Sequence, residues 1–537
     1  MNLKPNIMLI LCDDMGYSDL GCYGGEMNTP NLDRLAANGL RFTQFYNSPR
    51  CAPSRASMLT GLHPHQTGIG ILTYDDGPQG YPGNLGDNCV TLAEALKPHS
   101  YRSYLSGKWH LAKDTSNVND TWPLQRGFDR FYGTLAGSGS FYQPHTLTRD
   151  NESIDHETLE EGFYYTDRIT DNAELFIRDH LKDHTDRPFF QYVAYTAPHW
   201  PLHAHEEDIA RYKGRFEEGW DRLRELRIER MRQSGILDPA WQLSERDPGQ
   251  PLWADADHKE WRLRCMEVYA AQVDRMDQGI GRLLTVLEET GQLDNTLILF
   301  LSDNGGCNEH VHPHPEPGTT LFPKSHTRTG EPMIIGNHPG IMPGDDRTFQ
   351  TYNHWAHLSN TPFRLYKSWV HEGGISTPFI AHWPERIRDK GAIRHLPGQL
   401  TDIMATVMEA AGADYPQSYE GRSIDPQEGR SLLPAFEGKE TAGDPERCMF
   451  WEHQGNGAVR RGRWKLVKQY PGTWELYDME QDRTETFDLA DRHPELVRQL
   501  SGLYDEWAAR CRVIPRDTIL SIPGRVTHPS PYMGWMI

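Results

Sequence analysis

A chain of 537 residues can bury a large core, and division by a typical domain size gives three or four domains, with two equally compatible with a large α/β enzyme. Its 75 acidic and 55 basic side chains leave a net charge of −20, which argues against a nucleic-acid partner and requires any anion site to stand out as a local cluster of Lys, Arg and His. The eight cysteines show no regular spacing and no CxxC pair, which argues against zinc ribbons and thioredoxin-like motifs and fits reduced thiols better than a disulfide framework.

Taken in order, residues 7–11 form a continuous apolar run, the mark of a buried strand, and the strand ends in Asp13 and Asp14. The N-terminus shows no signal-peptide pattern, and no apolar run approaches membrane-spanning length. As written, the chain therefore reads as soluble and cytoplasmic, or periplasmic if a leader has been removed. Residues 29–39 read as a helix entered through Thr29 and Pro30 and ended by Gly39. Cys51-Ala-Pro-Ser-Arg55 then places a cysteine just ahead of a short helical stretch over residues 55–60, at a helix N-terminus where free N–H groups favour negative charge, with Arg55 one turn further on. Residues 91–96 read as a helix and 101–106 as a strand that ends in Lys108 and His110, which an extended segment points the same way.

A helix over 165–184 precedes a buried strand over 188–194, and His199 follows that strand. The charged, Trp-bearing stretch 206–259 reads as surface helices or an insertion, and apolar residues from Met266 to Leu287 recur at helical spacing as core. Residues 296–302 form another buried strand, which ends in Asp303 and Asn304. Segment 307–360 is a long loop rich in Gly, Pro and His; Lys367 precedes a Glu-Gly-Gly turn, a strand over 378–383 and a helix over 401–411. After Gly429, short aromatic and β-branched runs suggest a small antiparallel sheet closed by a helix over 495–511. The expected architecture is α/β: a large mixed, mostly parallel sheet flanked by helices in a domain of residues 1–429, and a smaller antiparallel sheet plus helix in residues 430–537.

If the sheet is parallel, its polar strand ends share one crevice. Asp13, Asp14, Asp303 and Asn304 offer only hard oxygen ligands, a set suited to Ca²⁺ or Mg²⁺. Taken singly, each of these pairs reads equally well as a turn or a cap. Lys108 can hold an anion and His110 can move a proton near neutral pH. His310-Val-His-Pro-His314 has zinc-like spacing but reads better as pocket wall or surface, and the Gly-Ser run 136–140 lacks the strand–helix setting of a nucleotide loop.

The order Asp-Asp, Cys-x-Pro-Ser-Arg, Gly-Lys-x-His, Ala-Pro-His, Ser-Asp-Asn-Gly and Lys before Glu-Gly-Gly resembles type I sulfatases along nearly the whole chain, most of all the bacterial arylsulfatases. The resemblance implies an alkaline-phosphatase-like fold and hydrolysis of sulfate monoesters, aryl or carbohydrate, through a formylglycine-sulfate intermediate. It implies that Cys51 is oxidised to formylglycine by a formylglycine-generating maturation enzyme. Asp13, Asp14, Asp303 and Asn304 would hold Ca²⁺ with modified Cys51, and Arg55 would steady the aldehyde hydrate. Lys108, His199 and Lys367 would bind sulfate and serve the leaving group, and His110 would be the base. Phosphonate monoester and phosphodiester hydrolases are the nearest rival, but they typically carry Asp-Gln and Asp-His at the metal pairs, with Tyr and Thr in place of Lys108 and His110. A non-catalytic anion or glycan binder would have no need of the oxidisable cysteine, and a purely structural calcium protein would leave the Lys and His cluster without a purpose.

Overall fold

The computed structural model describes residues 4–311, 326–439 and 444–522. The first apolar run forms strand β1 (Asn6–Cys12), buried along its whole length. Helix α1 (Pro30–Asn38) starts after Thr29 with Pro30 in its first turn, and Gly39 ends it. Then come β2 (Leu40–Tyr46), α2 (Cys51–Thr60), β3 (Arg102–Gly107), β4 (Arg130–Thr134), α3 (Tyr165–Asp183) and β5 (Phe189–Ala194). These are followed by α4 (Gly219–Gln233), the 31-residue α5 (Lys259–Glu289), β6 (Thr296–Ser302) and β7 (Ser376–His382). Among the described residues no helix is long and apolar enough to cross a membrane.

The main sheet has the order β2-β7-β6-β1-β5-β3-β4, extended by residues 392–394 beside β2 and by two short strands within 147–153 beyond β4. From β6 through β1, β5 and β3 to β4 every pairing is parallel. β7 runs antiparallel to both β6 and β2, which makes the sheet mixed but mostly parallel. Alternation along β1 sends Met8, Ile10 and Cys12 to one face and Ile7, Leu9 and Leu11 to the other. The first face packs on α3 and α5, the second on α2, so both faces are covered and β1 can be apolar throughout. Each such buried side chain contributes roughly 1.5–3 kcal/mol of transfer free energy.

The C-terminal part folds as four antiparallel strands, β8 (Cys448–His453), β9 (Asn456–Arg461), β10 (Trp464–Lys468) and β11 (Trp474–Asp478), with helix α6 (Pro494–Arg510). One face, with Val459, Leu466 and Leu476, packs on Leu500, Tyr504 and Trp507 of α6. The other, with Trp451, Ala458 and Val467, packs on Tyr46, Val370 and Ile375 of the main unit.

The structure corrects the sequence reading in three places. The charged stretch 206–259 is not only surface: α4 buries Trp220, Arg227 and Met231. Arg227 is fully enclosed because Asp19 (2.9 Å) and Glu26 (2.7 Å) match its charge. Strands β2, β4 and β9 were not anticipated, since each carries Arg together with Gln or Gly within its run. Finally, α2 begins at Cys51 itself, not at Arg55.

Candidate active site

The ten residues that carry the sulfatase resemblance gather at one edge of the main sheet, and strand direction explains why. β1, β3, β5 and β6 are parallel, and β2 runs with them because both β2 and β6 are antiparallel to β7. Their carboxyl ends therefore share an edge: Asp13 and Asp14 follow β1, Cys51 follows β2, Lys108 and His110 follow β3, His199 follows β5, and Asp303 and Asn304 follow β6. β7 presents its beginning at that edge, and Lys367 lies in the segment just before it.

Eight of the ten side chains form one connected, buried cluster, beside which buried Cys51 pairs with a half-buried His110. Lys108 Nζ lies 2.5 Å from Asp13 Oδ2, and Arg55 Nη2 lies 3.4 Å from the same oxygen and 3.0 Å from Asp303 Oδ2. Lys367 Nζ donates to Asp14 Oδ2 at 2.8 Å and stands 3.3 Å from His199 Nε2, which is itself 3.4 Å from Asp14 Oδ2. Asn304 Nδ2 donates to Asp14 Oδ1 at 2.7 Å, and the Asp14 N–H donates to Asp303 Oδ1 at 3.1 Å. His110 Nδ1 lies 3.4 Å from Cys51 Sγ.

The segment carrying Lys108 and His110 is not the extended run expected. β3 stops at Gly107, which has a φ of +118°, and His110 itself sits at φ +56°. Asp14 is also left-handed, with φ +67°. A left-handed non-glycine residue costs of order 1–3 kcal/mol and persists only where its surroundings over-determine it. At His110 they do: its N–H donates to Leu135 O, and the neighbouring Trp109 N–H donates to Thr134 O. Gly137 completes the seat, because a Cβ there would fall 2.3 Å from the His110 ring.

Burial and charge set the protonation of these groups. Burial, reinforced by the positive charges of Lys108 and Arg55, pushes His110 well below the usual histidine value. Its imidazole is thus neutral near pH 7. Burial also lowers His199, against the pull of Asp14. Burial opposes the charge on Lys367, but Asp14 and Glu309 overcome it and raise its ammonium well above the usual lysine value. Burial pushes the Cys51 thiol up despite Lys108 and Lys367, so an unmodified thiolate nucleophile is disfavoured. Burial works against Asp13 as well, and Lys108, His199 and Arg55 hold it below the usual carboxylate range. Asp303 goes the other way, raised by burial and by the charge of Asp13.

A bound cation fits this arrangement. Asp13 Oδ1 and Asn304 Oδ1 are buried without a hydrogen-bond partner, an expensive state for two strong acceptors. Among the described residues, Asp13, Asp14 and His199 bring ligand atoms within 4.8 Å of one another. The orphaned oxygens and the carboxylate repulsion at Asp303 point to an oxygen donor set with His199 left to face Lys367. For the zinc-like spacing at 310–314, His312 and His314 lie outside the described residues, and His310 Nδ1 stands 3.2 Å from Asn337 Nδ2.

Two charged residues at the site were not foreseen. Arg50, just before Cys51, pairs with Glu309 at 2.6 Å, and Glu309 Oε2 lies 3.8 Å from Lys367 Nζ. Glu309 stands in a long loop without periodicity, and the one available signal was its place five residues after Asn304.

The fold, a mostly parallel sheet with its polar cluster on the carboxyl edge, is that of the alkaline-phosphatase-like hydrolases. Residues 5–413 match the family model described as Sulfatase, and residues 363–503 match one described as N-sulphoglucosamine sulphohydrolase, C-terminal. The chain belongs to the sulfatase family and is a sulfuric ester hydrolase. It is 33% identical to an arylsulfatase of Klebsiella aerogenes over 446 residues, covering 80% of this chain and 91% of that one. It is 32% identical to an uncharacterised sulfatase of Schizosaccharomyces pombe, covering 95% and 94% of the two chains. The solved structure of Ps i-CgsB in complex with k-i-k-neocarrahexaose superposes with a TM-score of 0.66 at 25% identity, covering 94% of this chain and 93% of that one.

Proposed function

We propose that the chain hydrolyses aryl or carbohydrate sulfate monoesters with a formylglycine made from Cys51 by a maturation enzyme, at a Ca²⁺ site formed by Asp13, Asp14, Asp303, Asn304 and residue 51. The observation that carries this reading is the enclosure of Cys51, its thiol raised by burial, between a neutral His110 and a carboxylate cluster with two orphaned oxygens. Bound Ca²⁺ would supply positive charge for the nucleophile and the sulfuryl oxygens. A formylglycine hydrate would supply two hydroxyls on one carbon, one to attack sulfur and one to drive the later release of sulfate.

The chain's own residues do the rest. Lys108 and Lys367 present ammonium groups to the sulfuryl oxygens and balance their charge. His199 and Lys367 stand together, 3.3 Å apart, where the departing alcohol oxygen takes up its proton. His110, neutral and facing residue 51, accepts the proton of the second hydroxyl. Arg55 joins Asp13 and Asp303 behind the nucleophile and holds the helix start against them. The name of the Klebsiella relative makes an aryl sulfate the first substrate to try.

The test is hydrolysis of 4-nitrophenyl sulfate against a phenyl phosphonate ester by enzyme co-expressed with a formylglycine-generating enzyme. Sulfate turnover should exceed phosphonate turnover and fall at least about 10⁴-fold in Cys51→Ala. Faster phosphonate hydrolysis would move the chain to the rival reaction, and undiminished turnover by C51A would refute residue 51 as nucleophile.

A further inference from the structure

We propose that Glu309 is a positioning residue for the leaving-group side of the site: one buried carboxylate ties together Arg50, Trp200 and Lys367, and so fixes Cys51, His199 and Lys367 relative to one another. The proposal rests on the reading of His199 and Lys367 as the groups that serve the departing oxygen.

Glu309 is only 3% exposed, yet both its carboxylate oxygens are engaged. Oε1 accepts from Arg50 Nη1 at 2.6 Å. Oε2 accepts from the Trp200 indole Nε1 at 2.9 Å and lies 3.8 Å from Lys367 Nζ. Each partner adjoins a different part of the site in sequence. Arg50 directly precedes Cys51 and is the residue from which α2 starts. Trp200 directly follows His199, and its carbonyl lies 2.6 Å from His199 Nδ1, so the indole contact fixes the peptide that orients the imidazole. Arg50 also donates to Ser368 Oγ at 2.9 Å, which binds the residue after Lys367 to the same node. Three segments far apart in sequence, one carrying the nucleophile and two the groups for the leaving oxygen, thus meet on one side chain.

The node is charged and closed. Burial opposes ionisation of Glu309, but Arg50 and Lys367 overcome it and hold the carboxyl below its usual range. The Thr351 hydroxyl donates to the Glu309 carbonyl at 2.7 Å and anchors its backbone. Lys367 therefore sits between two carboxylates, Asp14 at 2.8 Å and Glu309 at 3.8 Å. The shorter contact holds the ammonium at the site, and the longer one sets the side from which it can meet an incoming oxyanion.

Loss of this tether should misplace the groups that meet the leaving oxygen, so the penalty should depend on how much help the leaving group needs. A good leaving group needs little and a poor one needs much. In Glu309→Gln, kcat/KM is expected to fall about 10-fold for 4-nitrophenyl sulfate and about 100-fold for phenyl sulfate, with the ratio partly restored in Glu309→Asp. The unfolding midpoint should stay within a few degrees of wild type. An equal loss for both esters would mark a merely structural role and overturn the proposal. A crystal structure of Glu309→Ala tests the tether without reference to turnover: Trp200 or Lys367 should move by about 1 Å or more, and unmoved side chains would overturn the proposal. Wild-type enzyme inert toward both sulfates would instead count against the functional reading, and the crystal structure would still judge Glu309.

Discussion

Two buried charge networks lie within this chain, and they are built to opposite rules. One is the site at the sheet edge. The other is the seam where the C-terminal sheet meets the main unit. In the seam, Glu372 receives Lys465 at 2.9 Å, Arg483 at 3.0 Å and the Tyr46 hydroxyl at 3.0 Å. Arg483 also donates to Thr43 O and Ser376 Oγ, while Lys465 reaches Glu485 at 2.7 Å. Each nitrogen of the Arg483 guanidinium has a partner. At the site, by contrast, Asp13 Oδ1, Asn304 Oδ1 and Arg55 Nε have none, and two carboxyls face each other at the price of a raised Asp303. A network whose carboxylates each face a cation holds a structure together; one that leaves carboxylate and amide oxygens unmatched is ready to receive something.

The comparison can be broken at its charge-matched end first. Arg483→Met should leave Glu372 under-compensated and cost about 3–5 kcal/mol of stability, read from urea unfolding. A loss below about 1 kcal/mol would show that the seam is not the structural member of the pair. At the unmatched end the sign should change. In chelator, Asp303→Asn relieves the repulsion with Asp13 and should leave the unfolding midpoint unchanged or raise it. Saturating Ca²⁺ should stabilise wild type by about 2.7 kcal/mol at a hundredfold excess over Kd, and D303N should lose most of that gain. Destabilisation of calcium-free D303N to the level of R483M would erase the distinction.

The smallest effect concerns His63, which packs edge-on against Trp507 of α6, 5.1 Å between ring centres, at the border of the two units. Burial lowers it to about 4 from 6.5, despite Glu428. Because its folded value is depressed, the unfolded chain binds the proton first as the solution is acidified. The stability due to neutral His63 is therefore fully present above pH 6.5 and is lost as pH falls from 6.5 towards 4. His63→Gln should flatten the stability profile between pH 6 and 4.5 by up to about 1.4 kcal/mol per pH unit. An unchanged slope would place the proton uptake elsewhere.

Much of this was legible in the sequence, for a definite reason. Buried parallel strands read as unbroken apolar runs, so residues 7–11, 188–194 and 296–302 declared both themselves and the polar residues that follow them. Lys367 was harder, since it precedes an antiparallel strand and no strand end flags it. Lys108 and His110 were found, although the backbone turns left-handed at His110 and the assumed extended geometry does not hold. Arg50 and Glu309 were missed because their partners lie between about 60 and more than 300 residues away, and pairing at that distance leaves no local pattern. Arg227 was taken for a surface charge because Asp19 and Glu26, which neutralise it, come from 208 and 201 residues earlier in the chain. Composition shows which charges exist, but only the fold shows which are matched.

The position of β1 bears on how the protein is made. Residue 7 pairs with residue 190 on one side, and residue 6 pairs with residue 296 on the other. At ribosomal speeds of about 5–20 residues per second, roughly 15–60 s separate the synthesis of the first strand from that of its second neighbour. Through that interval the nascent chain carries a nearly all-apolar strand segment with an unclaimed edge, the kind of surface that aggregates or recruits a holdase. Asp13 and Asp303 terminate these two late-meeting strands. Translation rate and chaperone supply should therefore affect the yield of folded enzyme.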